Sequence, residues 1–190
     1  MISDAEVLEV LRPLFFGWHH DGIRDTGNVY PLGAFLLVGA TIDVLAGLAY
    51  NPVDDGDGKV GRRYKRFVHQ FFPPQYTRLR EALWKGLRTT PLHYFTTSSI
   101  VFADSQPHAG LHLTRLDAGR VILHWPEFFG DYEAAREKYW TKLTCDAQLM
   151  ANARGRLQRR PLMTVENVPR GLTLPFTLPA TFPQPATIIV

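Results

Sequence analysis

Between Pro31 and Tyr50 the chain runs for twenty residues with a single charged side chain, Asp43. A segment this apolar must leave water on nearly every side, so it is either a bilayer span or the central helix of a packed body. Asp43 separates the two. A lone carboxylate at mid-bilayer costs about 2.5 to 3.5 kcal/mol even on a lenient insertion scale. No cluster of Lys or Arg flanks the run to anchor it at a membrane face. The expectation is a buried helix, Leu32 to Tyr50, with no membrane crossing.

The other elements arrange themselves around that helix. Ser3 with Glu6 has the spacing of a capping box, so a first helix is predicted from Asp4, to be kinked or ended at Pro13. Trp18 to Tyr30 is polar, with Asp21-Gly22 and Thr26-Gly27-Asn28, and reads as a loop. Asn51 to Lys59 is turn chemistry. Its Asp55-Gly56-Asp57-Gly58 lacks the third acidic position and closing Glu of a calcium loop, and is read as solvated.

A third helix is expected from Gly61 to Phe72, halted by Pro73-Pro74. A fourth follows from Gln75 to Arg88, with Leu79, Leu83 and Leu87 on one stripe. Ser98 to Ala103, Leu111 to Leu116 and Val121 to Trp125 are β-branched or alternating, with a turn at Asp117-Ala118-Gly119, and predict a small antiparallel sheet. A long late helix is expected from Asp131 to Arg159. From Pro161 onward six prolines exclude a continuous helix or an internal strand, yet Leu172, Leu174, Phe176, Leu178 and Phe182 argue against a plain linker. That tail either wraps the body or docks on a partner.

The expected class is mainly α (α+β): residues 1–160 as one domain with an inserted β-hairpin at about 98–125, then a proline-rich tail at 161–190. At 190 residues and 45% hydrophobic content, a second sizeable core is not expected. The single cysteine, Cys145, cannot form an internal disulfide, and Met1-Ile2-Ser3-Asp4 begins acidic where a secretory signal begins basic. The expected compartment is the cytoplasm.

Charge is unevenly placed. Residues 1–58 carry a net −7 and the rest +10. The excess concentrates between Lys59 and Arg88, where Lys59, Arg62, Arg63, Lys65, Arg66, Arg78, Arg80, Lys85 and Arg88 face one anion, Glu81. Interleaved with Tyr64, Phe67, Tyr76 and Trp84, these cations have the makeup of a surface that attracts phosphates and stacks bases. A merely solvated basic face is the alternative.

At the end of this stretch stands Arg88-Thr89-Thr90-Pro91-Leu92-His93. Here the sequence resembles the HEPN superfamily, helical domains that carry an Arg followed four to six residues later by a His near the end of a core helix. The resemblance extends over about residues 32 to 95, from the apolar helix with Asp43 through Gly61-Arg62-Arg63-Tyr64-Lys65-Arg66-Phe67-Val68 to Leu83-Trp84-Lys85-Gly86-Leu87-Arg88. It implies an HEPN-like helical bundle and a metal-independent endoribonuclease. Arg88 and His93 would be catalytic at a groove between two copies, with Arg62, Arg63, Lys65, Arg66, Arg78, Arg80 and Lys85 holding RNA.

The chemistry is sufficient in principle. A guanidinium can fork a scissile phosphate, and an imidazole titrating near pH 6.5 can move the 2′-hydroxyl proton. The family's habits add a weaker association with defence or toxin–antitoxin pairs. Its non-catalytic members leave a second possibility, a binding or scaffold module acting through dimerisation or its tail. In that case Arg88 would cap the carbonyls of its own helix and His93 would bond to backbone.

No cofactor or metal is expected. His19-His20-Asp21 and His108, His112 and His124 are the only histidine clusters, and no cysteine or nearby carboxylate completes a ligand set. His112 and His124 are expected to face each other across the hairpin. No phosphate-binding glycine loop, nucleophile elbow or dinucleotide fingerprint is present.

Overall fold

The computed structural model describes residues 2–50, 59–89, 100–104, 110–116, 119–160 and 162. The expected acidic loop at 51–58, His93, His108, Asp117, Ala118 and the tail after Leu162 lie outside the described residues.

Helix α1, Asp4–Phe16, opens on the predicted capping box: Ser3 Oγ accepts the Glu6 amide at 3.3 Å and Glu6 Oε2 accepts the Ser3 amide at 2.6 Å. The Ser3 amide foremost, and Ser3 Oγ donating to the same oxygen at 2.8 Å, hold the Glu6 carboxyl below its usual range. Pro13 does not end the helix. It lies in the last turn, where one missing amide bond is tolerated, and its carbonyl accepts the Gly17 amide.

Trp18 to Tyr30 was expected as a loop and is instead helix α2, Trp18–Val29. Its glycines and polar residues mask a core stripe of His20, Ile23 and Gly27, spaced for one helical face. Gly27 is required by contact: a Cβ there would stand 2.1 Å from the Trp125 ring. Tertiary packing overrides weak propensity here.

The apolar run forms α3, Pro31–Ala49, with Pro31 at its first turn. It is long and apolar enough to cross a bilayer, and 61% of its most apolar window is buried inside the fold. Helices α2 and α4 (Lys59–Phe71) and the last helix pack against it. Phe35, Val38, Ile42 and Leu45 sit at its centre with no exposed surface beyond 1%.

After Pro73 the expected single helix is broken into three: a 3-10 turn at Pro74–Arg78, a short α5 at Arg80–Leu83, and a π-helical turn at Trp84–Thr89. Leu83 and Leu87 still reach the core, as the stripe predicted. In the wider π turn, with its i→i+5 bonding pattern, adjacent Leu87 and Arg88 both meet α3.

The sheet is parallel, not antiparallel. Strand β1, Ile100–Ala103, pairs with β2, Val121–His124, in the register Ile100 with Val121 through Ala103 with His124. Asp117 and Ala118 of the expected turn are outside the described residues, but its flanks meet: the Leu116 amide donates to the Arg120 carbonyl, Gly119 has φ +100°, and Arg115 and Val121 form an antiparallel bridge. That arm reaches β2 only as a bridge, and the partner that completes the sheet arrives from far earlier in the chain. Residues 104–120 are long enough for the crossover that a parallel pair needs.

The late helix begins earlier than predicted and is interrupted. Helix α6, Trp125–Leu143, starts directly from β2 with Pro126 in its first turn. Helix α7, Ala147–Arg159, is started afresh by Asp146, whose carboxylate accepts the amides of Gln148 and Leu149.

Candidate functional site

Helix α4 is strongly two-faced. Gly61, Tyr64, Phe67, Val68 and Phe71 turn inward, while Arg62, Lys65, Arg66 and His69 recur at 3.6-residue spacing on the other side. Arg80 and Glu81 of α5 stand opposite them. The six side chains line an open groove of about 440 Å³.

Glu81, the groove's single acid, is held between two lysines: Lys65 Nζ donates at 2.7 Å and Lys85 Nζ lies at 3.5 Å. The Lys65 hydrogen bond is the main reason its carboxyl titrates below the usual range. With that charge offset, Arg62, Arg66 and Arg80 present exposed guanidinium groups. Arg66 also lies over the Tyr50 ring at 4.4 Å, and burial pushes the Tyr50 hydroxyl up to about 12. Of the remaining predicted contacts, Arg78 is exposed but does not line the groove, and Arg63, 9% exposed, belongs to the interior.

Arg88 does not line the groove either. Its Nε donates to Asp43 Oδ2 at 2.9 Å, with the two side chains 33% and 19% exposed. The expected alternative, capping its own helix carbonyls, gives way to this pair because a carboxylate in an apolar helix needs a partner more than a helix end open to water does. Asp43 lies one turn after Gly39, where the Leu87 backbone closes on α3. Fully buried Tyr64 sits alongside: its ring packs on Trp84 at 5.2 Å, and burial, then the Asp43 charge, raises its hydroxyl far above the ordinary range.

A second polar cluster was legible only in part. His112 and His124 do meet, but through backbone: His112 Nδ1 accepts the His124 amide at 3.1 Å. The ring proton is therefore on Nε2, which lies 2.8 Å from Tyr76 Oη, and Tyr76 in turn donates to Asp131 Oδ2 at 2.7 Å. His124 Nδ1 is 2.6 Å from Glu127 Oε2. These groups satisfy one another, and among the described residues no group of three or more His, Cys, Asp or Glu is placed to hold a metal.

Burial is the leading cause that lowers the titration of His112, and likewise of His19 and His20 on α2. An imidazole depressed by folding is protonated more readily in the unfolded chain, so its stability contribution is complete above the ordinary value near 6.5 and is lost as pH falls below it. The melting temperature is expected to drop between pH 7.5 and pH 5, followed by calorimetry. A melting temperature that rises over that interval excludes these three histidines as the main linkage.

Asp43 as the partner of Arg88 and His69 as a groove residue were not singled out from sequence. For Asp43 the signal was present: a lone carboxylate inside an apolar helix calls for a cation. Which cation was not readable, since the pair spans 45 positions. Comparison of the chain with family models, curated proteins and solved structures gives no match.

Proposed function

We propose that this chain is an HEPN-like RNA-binding protein whose groove of Arg62, Lys65, Arg66, His69 and Arg80 takes the phosphate backbone of RNA. The groove is the observation that carries the reading: four cations and a histidine on one open face, with the only carboxylate held between lysines. Such a surface binds polyanions without a metal, and its affinity falls as counterions compete. The arginine-to-histidine motif extends the reading to metal-independent cleavage. Asp43 orients Arg88 through Nε, and in this reading the guanidinium so held engages the phosphate through its outer nitrogens, with His93 as the proton carrier. In this reading the protein acts in the cytoplasm as a homodimer, without a membrane or cofactor, in the manner of a defence or toxin–antitoxin component.

The Asp43 pair also favours a second reading. A part-buried ion pair beside buried Tyr64 is what a purely architectural arginine looks like, so the same fold can serve as a non-catalytic module. Single-stranded and structured RNA incubated with the protein in chelator separates the two. Cleavage is expected from the wild type and is expected to vanish in His93→Ala and Arg88→Ala. RNA that binds, weakens steeply from about 50 to 200 mM salt and stays intact assigns the non-catalytic module. Binding indifferent to salt removes the groove reading altogether.

A further inference from the structure

An apolar groove lies between α1 and α3, remote in character from the basic one. Val10 and Leu14 of α1 and Leu37, Ala40 and Val44 of α3 form its walls, with Trp18 at one end, and it encloses about 340 Å³. Val10 and Leu37 are each 39% exposed and Trp18 is 54% exposed, so the most apolar helix of the chain leaves one face uncovered by the described residues. Two of its polar side chains, Thr41 and His19, already bond to each other. Thr41 Oγ1 donates to the Leu37 carbonyl at 2.8 Å and lies 2.9 Å from His19 Nε2, which leaves the ring to donate to it. With Val10, Pro13, Leu14, Leu37, Ala40 and Val44 making most of the lining, the fitting occupant is mainly apolar.

One residue is already seated there. Leu162, which follows the end of α7 at Arg159, is among the lining residues and packs against the core. The chain continues from it for residues 163–190, which carry only Glu166 and Arg170 as charges. Within that stretch Leu172-Thr173-Leu174-Pro175-Phe176-Thr177-Leu178 alternates strictly, so an extended backbone would put four large apolar side chains on one side. Proline is no obstacle to such a segment, because a groove floored by side chains demands no amide donors from it.

Distance permits the return. Residues 163–171 reach up to about 30 Å when extended, whereas the α3 wall from Leu37 to Val44 is about 10 Å long. A tethered segment also meets its site at an effective concentration in the millimolar range, so modest apolar burial suffices to hold it.

We infer that the segment Leu172–Leu178 docks in the α1–α3 groove of its own chain, continuing the contact that Leu162 begins. This inference does not depend on the RNA reading. A photo-crosslinking phenylalanine analogue at position 176 of the full chain, irradiated at low micromolar concentration, is expected to give adducts within one chain to Val10, Leu14, Leu37 or Val44. Leu37→Arg, at an exposed position that the fold tolerates, is expected to reduce those adducts at least tenfold without changing helix content. In the full chain, Leu174→Asp with Phe176→Asp is expected to raise the fluorescence of an apolar dye severalfold, and Leu37→Arg is expected to suppress that rise. Adducts between two chains would give the groove to a second copy and overturn the inference. Adducts outside the groove, no adducts, or dye fluorescence unmoved by the aspartates would overturn it as well.

Discussion

Valine in place of Gly39 is expected to destabilise the protein by about 3 kcal/mol, at the upper end of what overpacking a core costs. For a chain of this length that corresponds to a fall of about 6 to 12 °C in melting temperature. A Cβ at Gly39 would stand 2.6 Å from the Leu87 carbonyl oxygen and 2.8 Å from the Leu87 Cβ. The first of these is backbone of the π turn and cannot swing aside as a flexible side chain would. Either α3 shifts within a core that surrounds it or the π turn lifts, and the second movement pulls Arg88 from Asp43, one turn along the same face. Gly22 is the control, since a Cβ there meets nothing within 4 Å and Gly22→Ala is expected to be neutral or slightly stabilising. Calorimetry of the two variants checks the claim, and equal melting temperatures would show that the helices are not in contact at Gly39.

Reversing the charge of Arg62, Arg66 and Arg80 together to Glu is expected to lower affinity for single-stranded RNA by about 100-fold near 100 mM salt, on the scale set by losing three phosphate contacts. All three side chains are exposed, so the fold should persist. The Arg66 contact with Tyr50 is worth about 0.5 to 1 kcal/mol at such a site, too little to unfold the protein. Arg78→Glu, a single reversal outside the groove, is expected to change affinity only a few-fold. Fluorescence anisotropy with a labelled oligonucleotide, repeated over a salt series, measures both the affinity and the slope. A triple variant that binds as tightly as wild type would move the RNA surface elsewhere on the molecule.

What the sequence made visible and what it hid divide along physical lines. Helices α1, α3 and α4 were legible because each announces itself locally, through a capping box, a continuous apolar run or a two-faced charge pattern. Helix α2 was hidden because its helicity is imposed from outside, by His20 stacking on Phe129 at 5.5 Å and by Trp125 over Gly27. The β-branched segments could be read, but not their parallel pairing, which depends on where a second segment arrives. The basic groove was legible as composition. Its sorting was not: Lys65 and Lys85 offset Glu81, Arg63 turns inward, and Arg88 leaves for Asp43. Each of these outcomes depends on which helix lies opposite, and neighbours in sequence do not carry that information.

Strand β2 ends at His124 and α6 begins at Trp125, with no residue between them to act as a joint. The same Trp125 fills the notch left by Gly27, and the Tyr76 to Asp131 bond ties the first turns of α6 back to the 3-10 turn. The little sheet is accordingly no detachable cassette grafted onto a helical frame. A ligand that displaced it would drag the tryptophan from its socket and strain α2 and α6 together, so the sheet and the frame must respond to force as a single lever.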